Sequence, residues 1–166
     1  MASPLYRARQ FFRGFHPVLT AGELAIMRAV LNEHERALFM AMEPRDRRHS
    51  MDMVHWLHAR IAPSRELLAA ALLHDVGKGR VLVYDRVAFV LLGGISAVLR
   101  RRAGAARRGR FRQALWRLEH HAALGAERLA GISDPRVVFL VASHLDGGAY
   151  SSDADLRWLT AADSAC

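Results

Sequence analysis

Apolar positions along this chain recur at three- and four-residue intervals, the period of a helix that buries one face, and strand-like alternation is scarce. The pattern therefore predicts an all-α, compact single-domain fold. Thr20-Ala21-Gly22-Glu23 has the form of a capping box and precedes Leu24, Met27, Val30 and Leu31 at helical spacing. Pro44 opens a long segment in which His49, Met53, Trp56, Leu57 and Arg60 fall along one face, and Pro63 ends it. Ser64 then caps an apolar helix through Leu67, Leu68, Ala71 and Leu72 that runs into His74-Asp75, with Gly77 and Gly79 expected to stop it. Phe111, Leu115, Leu118 and Ala122 begin another amphipathic helix continuing past Leu129. Asp134-Pro135 starts a helix with Val138, Val141 and Leu145 expected inside, and a last helix near Asp153 to Ala165 turns Leu156 and Leu159 inward.

At 166 residues the chain suits one globular unit. Residues 1–43 read as N-terminal helices packing on a core domain of residues 44–166. The amino terminus carries Arg7, Arg9 and Arg13 without an acid before Glu23, yet lacks the apolar stretch and small-residue site of a secretory signal. An aromatic-bearing helix is expected there rather than an organelle transit peptide. The longest apolar run, about Val87 to Leu99, falls short of the roughly 20 residues that cross a bilayer. One cysteine, Cys166, excludes an internal disulfide and a thiolate metal site. These features point to a cytoplasmic protein.

The net charge of +8 arises from 23 arginines and one lysine against 16 acids, which favours anionic partners such as phosphates. Seven of the arginines lie in Arg100 to Arg112. That segment reads as a solvated basic loop, with nucleic acid or an anionic membrane surface as the less favoured partners. Its one aromatic residue, Phe111, does not make a stacking platform. The single lysine, Lys78, falls beside His74-Asp75.

The candidate chemistry is a constellation. His49, His74, Asp75, His121, His144 and Asp163 lie on the apolar sides of five different helical segments. One buried histidine satisfied by a neighbour would be ordinary. Four histidines converging with two aspartates would be a large unpaired electrostatic cost unless a cation joined them. Imidazole and carboxylate ligands without sulfur suit a divalent ion such as Mn, Fe, Mg, Ni, Co or Zn. His120 and His121 are adjacent, and His121 is favoured by its spacing to Gly125. His55 and His58 read as surface or packing residues.

The order of these residues resembles the HD superfamily of metal-dependent phosphohydrolases. The resemblance covers about Arg48 to Ala165, through RHSMDMV, ELLAAALLHDVGKG, HHAALGAERL, ISDPRVVFLVASHLDGG and LTAADSA. It implies a helical HD-domain fold around one or two divalent metal ions. His49, His74, Asp75 and Asp163 would hold the first, and Asp75 would bridge to a second completed by His121 and His144. It further implies hydrolysis of a nucleotide or related small phosphate ester by a metal-activated water, with Asp75 and Lys78 as the catalytic candidates. The Gly-Tyr-Pro signature of the branch that cleaves cyclic dinucleotides is missing, while the segment from His121 to Asp134 is similar to HD enzymes acting on nucleotides. Two alternative readings remain: a regulatory HD module that binds metal or nucleotide without turnover, and an arginine-rich protein that binds nucleic acid or a membrane surface.

Overall fold

The computed structural model describes residues 18–79, 110–145 and 151–166. Seven α-helices and one 3-10 turn make up these residues, with no strand among them: α1 (Ala21–Val30), α2 (Glu33–Ala41), α3 (Pro44–His58), α4 (Arg65–Leu73), the turn Val76–Lys78, α5 (Arg110–Leu129), α6 (Pro135–Ser143) and α7 (Ala154–Ala165). The all-α expectation holds. The arginine-rich segment up to residue 109, the apolar run after Val81 and the aromatic amino terminus lie outside the described residues.

Local signals set most helix starts. Thr20 Oγ1 accepts from the Glu23 backbone N–H while the Glu23 carboxylate accepts from the Thr20 N–H, so the expected capping box forms. Ser64 Oγ accepts from the Leu67 N–H, and Asp134 and Asp153 cap α6 and α7 in the same way. A second capping box at Asn32 and Glu35 separates α1 from α2. Asn32 also donates through Nδ2 to the Ile132 carbonyl at 2.8 Å, which pins this corner to the link between α5 and α6.

Helix α4 is the centre of the molecule. Every residue from Leu67 to Leu73 is buried, as expected of a helix that is apolar all round. Helices α1, α2, α3, α6 and α7 pack on it, and α5 packs on the 3-10 turn and on α6. One core cluster joins Met27, Val30 and Phe39 of the first two helices, and Leu31 between them, to Met51, Leu57, Leu72, Leu140 and Leu159. Each large side chain taken fully out of water contributes about 2 kcal/mol, so the surroundings of α4 are rigid.

Three expectations need correction. Helix α4 ends at Leu73, before the His-Asp pair, and a 3-10 turn follows it; Gly79, at φ 61°, closes that turn and not the helix. Gly77 is there for space, because a Cβ at this position would lie 2.0 Å from the His121 carbonyl oxygen and 2.6 Å from the Gly125 nitrogen. On α6 the buried face is Val137, Leu140 and Val141, whereas Val138 is half-buried and Leu145 is 47% exposed. The short helix ends at Ser143, so Leu145 no longer follows its periodicity.

Candidate metal centre

Packing around α4 brings His49, His74, Asp75, His121, His144 and Asp163 to one place, from five segments far apart in sequence. Two trios result: His49, His74 and Asp163, and Asp75, His121 and His144. Within each trio the possible ligand atoms lie within 4.8 Å of one another. The first trio is partly open to solvent, with the His49 and Asp163 side chains 23% and 34% exposed. The second is buried throughout. Asp75 Oδ1 lies between them, 3.3 Å from His74 Nε2 and 3.5 Å from His121 Nε2.

Backbone carbonyls orient the rings. His74 and His144 are the C-caps of α4 and α6, where the last-turn carbonyls lack helical partners. His74 Nδ1 donates to the Ala71 carbonyl at 3.0 Å, and His144 Nδ1 to Val141 at 2.7 Å. His121, inside α5, donates from Nδ1 to Leu118 at 2.8 Å. A carbonyl oxygen can only accept, so Nδ1 carries a proton in each of the three rings and in the neutral form Nε2 presents a bare lone pair. This is the arrangement in which histidines ligate metals, the second nitrogen fixed by an outer partner.

The three lone pairs converge on each other and on carboxylate oxygens. His121 Nε2 and His144 Nε2 are 3.2 Å apart, and with both protons on Nδ1 no hydrogen bond can join them. His74 Nε2 and Asp75 Oδ1 are buried and make no hydrogen bond with any described residue. Acceptors facing acceptors in a dry interior are costly, and a cation between them removes the cost. The buried His/Asp groups could therefore hold a metal ion.

The charge states of His74, His121 and the two carboxylates agree with that use. Burial pushes the His74 and His121 imidazoles down to about 4, which keeps them neutral at pH 7 as ligation requires. Burial works against the charge of Asp75, but His74, Lys78 and His121 outweigh it and hold the carboxyl well below the usual range. Asp163 is likewise opposed by burial and held at about 2, chiefly by the hydrogen bond from His49 and the nearness of His74. His49 Nε2 lies 3.0 Å from Asp163 Oδ1; burial lowers its basicity, and Asp163 with Asp75 more than restores it.

Other candidates are sorted by position. His121 faces the site, while His120 is exposed, stacks on Trp116 at 4.7 Å and donates from Nδ1 to the Trp116 carbonyl. His55 pairs with Glu23 at 3.0 Å, away from both trios, and His58 is exposed on the helix end. Lys78 Nζ lies 2.6 Å from Asp75 Oδ2, so the lysine is tied directly to the site.

Two contributors were not anticipated. Arg128 donates from Nη1 to the Val76 carbonyl at 2.6 Å and fastens the turn after Asp75 to α5. Its spacing from His121, seven residues on the same helix, was the available signal. The Ala71, Leu118 and Val141 carbonyls each lie three residues before a ligand-type histidine, a relation that could have been read once the helix ends were known. No family model, curated protein or solved structure matches the chain.

Proposed function

We propose that this protein is a metal-dependent phosphohydrolase of the HD type, acting on a nucleotide or related small phosphate ester. The observation that carries the reading is the gathering of the His74, His121 and His144 Nε2 atoms with Asp75 Oδ1 in a buried space, the first two within 3.5 Å of that oxygen and the third 3.2 Å from His121 Nε2. His49, His74, Asp75 and Asp163 would hold one divalent ion, and Asp75, His121 and His144 a second, with Asp75 shared. Nitrogen and oxygen donors without sulfur fit Mn, Fe, Co, Ni, Zn or Mg. When bound, such ions supply Lewis acidity, which acidifies a water and neutralises phosphate oxygens.

The chain's own residues prepare that chemistry. The three Nδ1–H donors keep the rings turned with Nε2 toward the site, and burial keeps His74 and His121 neutral at pH 7. Asp75 stays ionised at pH 7, its carboxyl held well below the usual range, with the Lys78 ammonium on Oδ2. The first trio, partly exposed at His49 and Asp163, would be the side from which a substrate approaches. Lys78, 19% exposed at its side chain, offers a point charge for a substrate phosphate, and the net charge of +8 favours an anionic ligand.

The test is elemental analysis of the purified chain joined to a panel of phosphomonoesters and phosphodiesters, nucleotides included. Bound divalent metal and turnover that disappears in His74→Ala and Asp75→Ala are expected. A chain that takes up no metal, with no added metal producing hydrolysis across the panel, would overturn the reading. Metal uptake without turnover on any substrate would instead indicate a regulatory module.

A further inference from the structure

Asp75 is asked to serve two masters. Its Oδ1 faces the bare His74 and His121 nitrogens, while its Oδ2 is held by the Lys78 ammonium at 2.6 Å. Both atoms of this carboxylate are buried, its side chain being 1% exposed. Lys78 comes from the same 3-10 turn, three residues on, and its backbone N–H also bonds the Asp75 carbonyl at 3.0 Å, so the ammonium is kept close by the chain itself. Asp163, the carboxylate of the other trio, has only His49 and His74 as ion partners among the described residues. The two carboxylates therefore differ: Asp75 is held by a lysine ammonium, whereas Asp163 has histidines alone as ion partners among the described residues.

We infer that Lys78 is a built-in counter-cation that competes with metal for Asp75 and is released to bind phosphate when metal enters. The inference rests on the metal-centre reading above. A lysine ammonium is a compact charge on a flexible four-carbon stem, able to satisfy Asp75 in the metal-free protein and to swing away afterwards. A divalent ion drawn to Asp75, His121 and His144 meets like-charge repulsion from Lys78, so its entry and the departure of the ammonium are one coupled step. The freed ammonium, on a side chain already 19% exposed, is then available to a substrate phosphate. Metal loading of the enclosed trio and phosphate binding become linked through a single side chain, as any two ligands are that bias one shared element.

Calorimetric titration of the metal-stripped full chain with Mn²⁺, and of the Mn²⁺-loaded chain with inorganic phosphate, tests this in wild type, Lys78→Met and Lys78→Arg. Loss of one charged hydrogen bond corresponds to about tenfold in affinity. Lys78→Met is expected to tighten one Mn²⁺ step about tenfold and to weaken inorganic phosphate by a similar factor, with Lys78→Arg near wild type in both. Metal-free Lys78→Met should melt below wild type, and saturating Mn²⁺ should narrow the gap. Lys78→Gln replaces Lys78→Met if the latter does not give the wild-type helical spectrum. Metal affinity left unchanged in the neutral variant would reduce Lys78 to a phosphate contact, and weakening of metal and phosphate together would reduce it to a structural ion pair; either result overturns the inference while leaving the metal centre standing. A wild-type chain that binds no Mn²⁺ would sink both.

Discussion

Replacing Gly77 by alanine tests whether the His-Asp turn and α5 are built as one unit. The added Cβ would lie 2.0 Å from the His121 carbonyl oxygen, 2.6 Å from the Gly125 nitrogen and 2.9 Å from the His121 carbonyl carbon. All three are backbone atoms, so no side chain can rotate out of the way. Carbon atoms essentially never approach closer than 3.0 Å here, so the turn and α5 must separate by about 1 Å. Overpacking of this kind costs about 3 kcal/mol, and at this chain length that corresponds to a melting temperature lowered by roughly 6 to 12 °C. The same movement carries Asp75 away from His121, and ligands need placement within about 0.5 Å, so metal affinity should fall by about tenfold or more. Thermal unfolding followed by circular dichroism, with and without added Mn²⁺, measures both effects. Gly125→Ala is the comparison, since its nearest contacts are at 3.2 Å to the Val141 side chain and 3.4 Å to that of Val76, and it should cost about 1 kcal/mol. A Gly77→Ala protein melting within 2 °C of wild type and binding metal equally well would refute the reasoning.

Further outcomes follow from the same geometry. His144→Leu removes one of two opposed lone pairs but also the donor to the Val141 carbonyl at 2.7 Å, so the two effects offset and the metal-free variant should lie within about 1 kcal/mol of wild type. It should also lose the stabilisation of about 2.7 kcal/mol that metal at a hundred times its Kd confers; a metal-free variant destabilised by about 3 kcal/mol or more would mean that Nε2, like Nδ1, has an ordinary structural partner. His121→Ala should abolish the metal-induced rise in melting temperature while His120→Ala leaves it intact, and the reverse pattern would exchange their roles. Glu23, whose carboxyl is held far below its ordinary value of 4.5 mainly by the Arg48 guanidinium at 2.6 and 2.9 Å, contributes stability that is complete above that value and declines as pH falls below it. Glu23→Gln should therefore cost about 2 kcal/mol at pH 7 and progressively less below pH 4.5, measured as urea unfolding at each pH; a difference independent of pH would rule out the ion pair as its source.

What could be read from the sequence was whatever depends on near neighbours along the chain. Helical class, the Thr20, Ser64 and Asp134 caps and the inward side of α7 follow from contacts three or four residues apart, which periodicity and capping chemistry report directly. So does the set of polar residues placed on apolar faces, because a face is a local property. The choice between His120 and His121 also rested on local phase, and the buried one is His121.

The remainder depended on distances that no local pattern encodes. Whether four imidazoles and two carboxylates meet, and in which trios, is set by how five helices cross around α4. The tautomers depend on which carbonyls the helix ends leave open, and thus on α4 stopping at Leu73 and α6 at Ser143. Gly77 looked like a helix breaker because glycine does break helices; its actual constraint is the backbone of α5, brought against it by tertiary packing from more than 40 residues away. Lys78 was visible as the lone lysine, but only the folded turn places its ammonium on the inner carboxylate, where electrostatics at 2.6 Å in a buried space decides what that residue can do.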